Sequence, residues 1–244
     1  MRPAVLSVVA NALFPPSCAF CGTRDDDRSV CAGCRAELPR PAGRCVRCAE
    51  PLALPLPDGL PCIACQRRPP PWSECIAPFT YDWPVDAAIK AFKFHHRLVF
   101  AAAFAELLLP FVTGIRPAAD VLVPVPLHRW RHASRGFNQA RELARSLAAR
   151  SGLPLADAVT RSRPTRPQGG LRRAARHRNL AGAFRLRRPV AGRRVLLVDD
   201  IVTTGETCRH IAALLLAHGA RDVRLLAVAR AVAGRQAGTT GSNV

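Results

Sequence analysis

Residues 195–207 read Val-Leu-Leu-Val-Asp-Asp-Ile-Val-Thr-Thr-Gly-Glu-Thr, and no other segment restricts the fold so strongly. Four consecutive apolar residues predict a buried strand, and Asp199 and Asp200 lie at its end. Ile201 and Val202 lead into a small, hydroxyl-rich turn of Thr203, Thr204, Gly205, Glu206 and Thr207, and a helical run follows from Cys208 to His218. Strand, acidic pair, turn and helix N-terminus together suit a sugar phosphate. Carboxylates accept hydrogen bonds from ribose hydroxyls, while exposed backbone N–H groups and the positive end of the helix hold a phosphate. The plainer reading is a buried strand and an ordinary helix capped by Thr203 or Thr204.

Cysteine spacing constrains the other end of the chain. Eight of the ten cysteines form Cys-x-x-Cys pairs: Cys18 with Cys21, Cys31 with Cys34, Cys45 with Cys48, and Cys62 with Cys65. A secreted disulfide scaffold rarely spaces its cysteines this way. A redox centre needs a single such pair beside a thioredoxin-like pattern. Two-residue spacing turns both thiolates of a tight turn toward one ion, so four pairs supply two tetrahedral zinc sites; one zinc with a degenerate second site is the alternative. Sequential pairing puts Cys18, Cys21, Cys31 and Cys34 on one zinc, and a crossed arrangement satisfies the same spacing. A structural zinc contributes about 10–16 kcal/mol of apparent folding free energy, far more than so small a core could supply. Cys75 and Cys208 stand outside the pairs and read as small buried hydrophobes.

Composition changes near residue 75, predicting an N-terminal helix and double zinc ribbon over 1–75, an α/β domain over 76–232, and a Gly- and Thr-rich disordered tail over 233–244. The run Ala4 to Ala12 resembles a weak signal peptide, but it is short, carries Asn11 and leads directly into thiols that must stay reduced. An amphipathic helix burying Val5, Leu6, Val9 and Leu13 fits it better. No run reaches the ~18 apolar residues of a membrane span, so a cytoplasmic location is expected. In the α/β part, strands are predicted over Ile76–Tyr81, Val121–Val125, Ala183–Leu186, Val195–Val198 and Val223–Val228, with the very apolar Val121–Val125 central. Helices are predicted over Val85–Phe94, Leu98–Leu109, Phe137–Arg150 and Cys208–His218. Alternating strands and helices imply a mostly parallel sheet with its ligands at the carboxyl ends of the strands.

The formal net charge of +19 points to a polyanionic partner, either nucleic acid or a phosphorylated substrate. The loop after the second strand, with Pro126, Leu127, His128 and Arg129, could place charge on a pyrophosphate, or could be a solvated surface loop. Arg135, Gly136, Phe137, Asn138 and Gln139 open the next helix, where Asn138 or Gln139 could reach a ligand. The long segment 161–184 carries Arg163, Thr165, Gln168, Arg176 and Asn179 and reads as a lid or a nucleic-acid-tracking loop. Lys90 and Lys93 are the only lysines among 36 basic residues and lie one helical turn apart, which suggests a required ammonium. An amphipathic helix with Phe92 in the core explains them equally well, and exposure of Phe92 or Phe94 would favour base stacking.

Residues 195–207 resemble the phosphoribosyl pyrophosphate (PRPP) loop of the type I phosphoribosyltransferases at every signature position. Ahead of them, in order, stand the paired zinc knuckles, Phe-Lys-Phe at 92–94, Val-Pro-Val-Pro-Leu-His at 123–128, Arg-Gly-Phe-Asn-Gln at 135–139, Arg-x-Thr-x-x-Gln at 163–168 and Arg-x-x-Asn at 176–179. On these motifs the chain resembles the ComF family over about 13–230. The resemblance implies a type I phosphoribosyltransferase fold behind a small zinc-ribbon module, and a cytoplasmic protein that binds PRPP with magnesium. It further implies a role in natural competence, in handling incoming single-stranded DNA beside a competence helicase or uptake proteins. Asp199 and Asp200 would be its catalytic pair. Whether phosphoribose is transferred to an acceptor, or the fold is kept for PRPP sensing or DNA binding, stays open. The chain lacks a glutaminase domain, so the label amidophosphoribosyltransferase, often attached to this family, describes the fold only.

Overall fold

In a computed structural model of the chain, the described residues are 17–25, 28–57, 59–115, 117–127, 136–162 and 182–232. The N-terminal helix expected to bury Val5, Leu6, Val9 and Leu13, and the tail from 233, lie outside them.

Five strands form one sheet in which every pair is parallel. Its members are β3 (Glu74–Ile76), β4 (Phe79–Thr80), β5 (Val121–Pro124), β8 (Arg194–Val202) and β9 (Asp222–Arg230). The order is β3-β9-β8-β5, with β4 also pairing β9. The strand expected over 76–81 is thus two pieces on one partner. Pro78 between them has no N–H to give the ladder, so pairing lapses there and resumes at Phe79. The segment Val121–Pro124 is wholly buried yet not central. It ends the strand order, and its outer edge is closed by irregular chain, with Leu122 N–H donating to Pro154 O (2.8 Å) and Ala156 N–H donating to Leu122 O (2.9 Å). Apolar composition reported burial on both faces, and a capped edge strand satisfies that as well as a central one.

Parallel neighbours need crossovers, and the helices of those crossovers cover both faces of the sheet. One face carries α3 (Val85–Phe94), α4 (Val99–Gly114) and α5 (Gln139–Ser151), whose Phe92, Phe104, Leu143 and Leu147 meet Leu196, Val198, Leu226 and Val228. The other carries α6 (Glu206–Ala217), whose Ile211 and Leu215 meet Val195, Leu197, Leu225 and Ala227. Residues 195–198 therefore alternate between two cores, as the period of a strand requires. A second small sheet, β6 (Val159–Arg161) antiparallel to β7 (Phe184–Leu186), packs with α6. β7 lies where a short strand was expected, while β6 gave no pattern long enough to read. α4 runs five residues past its expected end, through Pro110 to Gly114.

The cysteine-rich module holds α1 (Ala32–Glu37), α2 (Ile63–Arg67) and the paired strands β1 (Gly43–Arg44) and β2 (Pro51–Leu52). Its first half leans on α4: Ser29 N–H donates to Glu106 Oε2 (2.7 Å), Arg35 pairs with Glu106, and Phe20 meets Phe100 edge-on at 5.6 Å.

Candidate functional site

β8 does not stop before its carboxylates. The nine-residue β9 carries the ladder onward, pairing Asp199 with Ala227, Ile201 with Ala229 and Val202 with Arg230. Asp199 and Asp200 are therefore strand residues, and their side chains leave opposite faces. Asp200 points to the α3 face, where Lys93 Nζ sits 2.8 Å from its Oδ2, an ion pair with 18% and 8% of the two side chains exposed. Asp199 points to the α6 face, where the Cys208 thiol lies 3.7 Å from its Oδ2, and its Oδ1 accepts from Asp200 N–H at 2.9 Å. At the carboxyl end of the sheet both reach one pocket of about 130 Å³, lined also by Lys93, Asn138, Gln139 and Arg161. Burial, and then the neighbouring Asp200 charge, push the Asp199 carboxyl up to about 8, with the Lys93 ammonium opposing. Asp199 reaches solvent at this pocket, which reconciles its partial exposure with its depth.

The turn beyond β8 encloses a second hollow of about 40 Å³, lined by Ile201 to Cys208 and Asp199. Gly205, not a threonine, is the N-cap of α6, and no side chain caps the helix. Its φ of 72° belongs to the left-handed region that glycine adopts without cost. Thr203 and Thr204 are left exposed, and the first N–H groups of α6 border a hollow suited to a phosphate.

Pro126 and Leu127 line the larger pocket, as expected for the loop after β5, while His128 and Arg129 lie outside the described residues. Asn138 caps α5 by accepting from Arg141 N–H (3.4 Å) and ties the helix to β5 by donating to Val125 O (3.0 Å). Gln139 is 2% exposed, lines the pocket, and its Nε2 has no partner among the described residues. A buried amide donor facing a polar pocket can be met there by an acceptor of a ligand or a water. Arg135, Arg163, Thr165, Gln168, Arg176 and Asn179 lie outside the described residues. Phe92 is core, whereas Phe94 is 58% and Trp83 75% exposed. Cys75 and Cys208 are buried, and burial pushes the Cys75 thiol up to about 12.

The eight paired cysteines gather into two clusters, Cys18, Cys21, Cys31 and Cys34, and Cys45, Cys48, Cys62 and Cys65. The sulfur atoms within each lie no more than 4.8 Å apart, so the sequential arrangement is the one adopted. Backbone N–H groups of Cys31 and Cys62 donate to the sulfurs of Cys18 (3.4 Å) and Cys45 (3.2 Å), which favours thiolate. Four thiolates at this spacing are the donor set of a closed tetrahedral zinc site.

The second cluster is joined to the turn after β8 through residues that sequence reasoning passed over. Trp72 donates Nε1–H to Arg47 O (2.5 Å) and lies under Gly205, where an added Cβ would come within 3.3 Å of its ring. Arg230 donates to Val202 O (3.0 Å) and pairs with Glu50 (2.6 Å), and Arg209 donates to Pro69 O (3.1 Å). A cavity of about 480 Å³ remains between the cluster and the turn. Single Trp and Arg residues far apart in sequence carried no periodic signal that could have joined them.

Models of known families match the chain in two places: a double zinc ribbon domain over residues 9–66 and a phosphoribosyl transferase domain over 132–239. Fold and site thus define a double zinc ribbon followed by a phosphoribosyltransferase-type domain. DNA utilization protein YhgH of Salmonella typhi is 38% identical over 208 residues, covering 82% of this chain and 90% of that protein. Competence protein F of Haemophilus influenzae is 30% identical, over 83% of this chain and 90% of that one. Competence protein ComFC of Bacillus subtilis is 27% identical, over 79% and 80%. The chain belongs to the ComF family.

Proposed function

We propose that the chain binds PRPP at the carboxyl end of β8, in a role associated with competence and the use of DNA. Asp199 and Asp200 take the ribose 2′- and 3′-hydroxyls, the turn Thr203 to Thr207 takes the 5′-phosphate, and the loop through Pro126, Leu127, His128 and Arg129 faces the pyrophosphate. The observation that carries this reading is the meeting of two opposite-facing carboxylates, the buried Gln139 amide and a backbone-lined hollow at one sheet end. Carboxylate oxygens are donors that magnesium accepts, and a magnesium ion arriving with PRPP would neutralise charge on the pyrophosphate. The two four-cysteine clusters hold one structural zinc each. The residues expected to act as a lid, Arg163, Thr165, Gln168, Arg176 and Asn179, together with Arg135, would then close over PRPP or follow a nucleic-acid backbone.

A second reading, a PRPP-sensing or DNA-binding module without turnover, draws support from α3. Lys90 and Phe94 are exposed one turn apart on it, and Trp83 is exposed just ahead of the helix, which suits unstacked bases in a strongly basic chain. No helix among the described residues is long and apolar enough to cross a membrane. Phosphorus NMR of magnesium-PRPP with the zinc-loaded protein separates the readings. Acceptor-dependent release of pyrophosphate identifies a transferase, and shifted PRPP signals without turnover identify a binding module. Unaltered signals under all conditions would exclude PRPP as the ligand.

A further inference from the structure

We infer that Lys93 is the residue that recognises the pyrophosphate group, paired with Asp200 as the structure has it and released to the ligand when ribose takes its place. This assignment rests on the PRPP reading above and adds to it the residue that distinguishes PRPP from simpler ribose phosphates.

The geometry begins with α3. Its buried face, Val85, Ala88, Ile89 and Phe92, fixes the helix against the sheet, so Lys93 at its last turn projects along the carboxyl edge of β8. There its Nζ lies 2.8 Å from Asp200 Oδ2. The ammonium meets the charge of that oxygen without the alignment of a hydrogen bond, so the contact is an ion pair that a better-aligned donor can replace. Lys93 lines the same pocket as Val125, Pro126 and Leu127, and it does not line the phosphate hollow. On the PRPP reading, a ligand with its 5′-phosphate among Thr203 to Thr207 and its ribose on the carboxylates gives its pyrophosphate to the loop through Pro126 and Leu127, whose pocket Lys93 shares.

A buried carboxylate needs its charge compensated. Ribose hydroxyls donate to Asp200 and take over part of that role, which frees the ammonium. The pyrophosphate arrives with several negative charges within reach of a four-carbon stem carrying three rotatable donors, and a compact ammonium can change partners by rotation where a guanidinium fork is held to one plane. The choice of lysine is notable in a chain whose other basic side chains, Lys90 excepted, are arginine. Lys90 is bound elsewhere, pairing with Asp86 one turn back at 2.7 Å, and does not line the pocket.

The scarcity of lysine supplies the test. Reductive methylation with 13C-formaldehyde keeps the positive charge and labels only Lys90, Lys93 and the terminal amine, and Lys90→Gln assigns the signals. PRPP and ribose 5-phosphate, each at saturation in the same magnesium concentration, differ by the pyrophosphate at C1. The Lys93 signal is expected at clearly different positions with the two ligands, and the Lys90 signal at the same position. Coincident Lys93 signals with both ligands bound would overturn the assignment. Calorimetry on Lys93→Gln gives a second readout. PRPP affinity should fall by about 10- to 100-fold, the loss of one charge-assisted contact, with ribose 5-phosphate changed by less than about threefold. Equal losses for both ligands would mean that Lys93 only holds Asp200, and would likewise overturn it. If the unaltered protein binds neither ligand, the PRPP reading itself fails, a result distinct from either of these.

Discussion

Asp199 and Asp200 are consecutive in the chain and lie on opposite faces of the sheet, so Lys93 pairs directly with Asp200 and opposes the burial of Asp199 only from a distance. Asp199, pushed up to about 8 from its ordinary 3.8, holds a proton near neutrality. A carboxyl whose folded value is raised contributes stability that is fully present below 3.8 and lost as pH climbs through about 8. Stability measured by thermal unfolding should therefore decline between about pH 4 and about pH 8, and Asp199→Asn should flatten that decline. PRPP binding should run the other way. If both carboxylates must be ionised to accept ribose hydroxyls, affinity rises toward about pH 8 and levels off above it, and calorimetry in buffers of different ionisation enthalpy should register proton release near neutrality. Asp199→Asn with Asp200→Asn should abolish PRPP binding while zinc content stays unchanged. Retained affinity in that variant would remove these residues from the site.

The turn after β8 depends on elements that are remote in the chain. Gly205 starts α6 in the left-handed region with Trp72 beneath it, so Gly205→Ala meets two penalties. The backbone conformation costs about 1–2 kcal/mol, and the 3.3 Å approach to the indole adds to it. A lowered melting temperature together with weakened PRPP binding is expected. The second cysteine cluster braces the same turn through Trp72, Arg209 and Arg230, whereas the first rests on α4. Cys62→Ser should accordingly weaken PRPP binding more than Cys21→Ser does, at one zinc lost in each case. Equal effects would show that the module acts only as a general support. The Lys93 assignment belongs to this level too, since α3 places the ammonium and β8 the carboxylate.

Over the whole molecule, a charge of +19 predicts that single-stranded DNA affinity falls steeply and linearly on a log–log plot against salt. Phe94→Ala should remove about 1–3 kcal/mol of that binding if a base stacks there, while a buried Phe92 cannot take part. An affinity indifferent to salt would contradict an electrostatic interface. Much of this architecture was legible beforehand. Residues 195–207 announced a strand, a hydroxyl-rich turn and a helix because buried runs, small polar turns and helix starts are local patterns. The Cys-x-x-Cys spacing likewise announced two metal clusters, since ligand geometry is set within a few residues. Local pattern could not decide between sequential and crossed pairing, place Val121–Pro124 at the edge of the sheet, or carry the ladder past Asp199 and Asp200. It could not bring Trp72 under Gly205 or Lys93 to Asp200 either. Those outcomes depend on which strand lies beside which, and on contacts between residues far apart in the chain. Periodicity and spacing report the environment of a residue, burial above all, and folding alone supplies the neighbour that fills it.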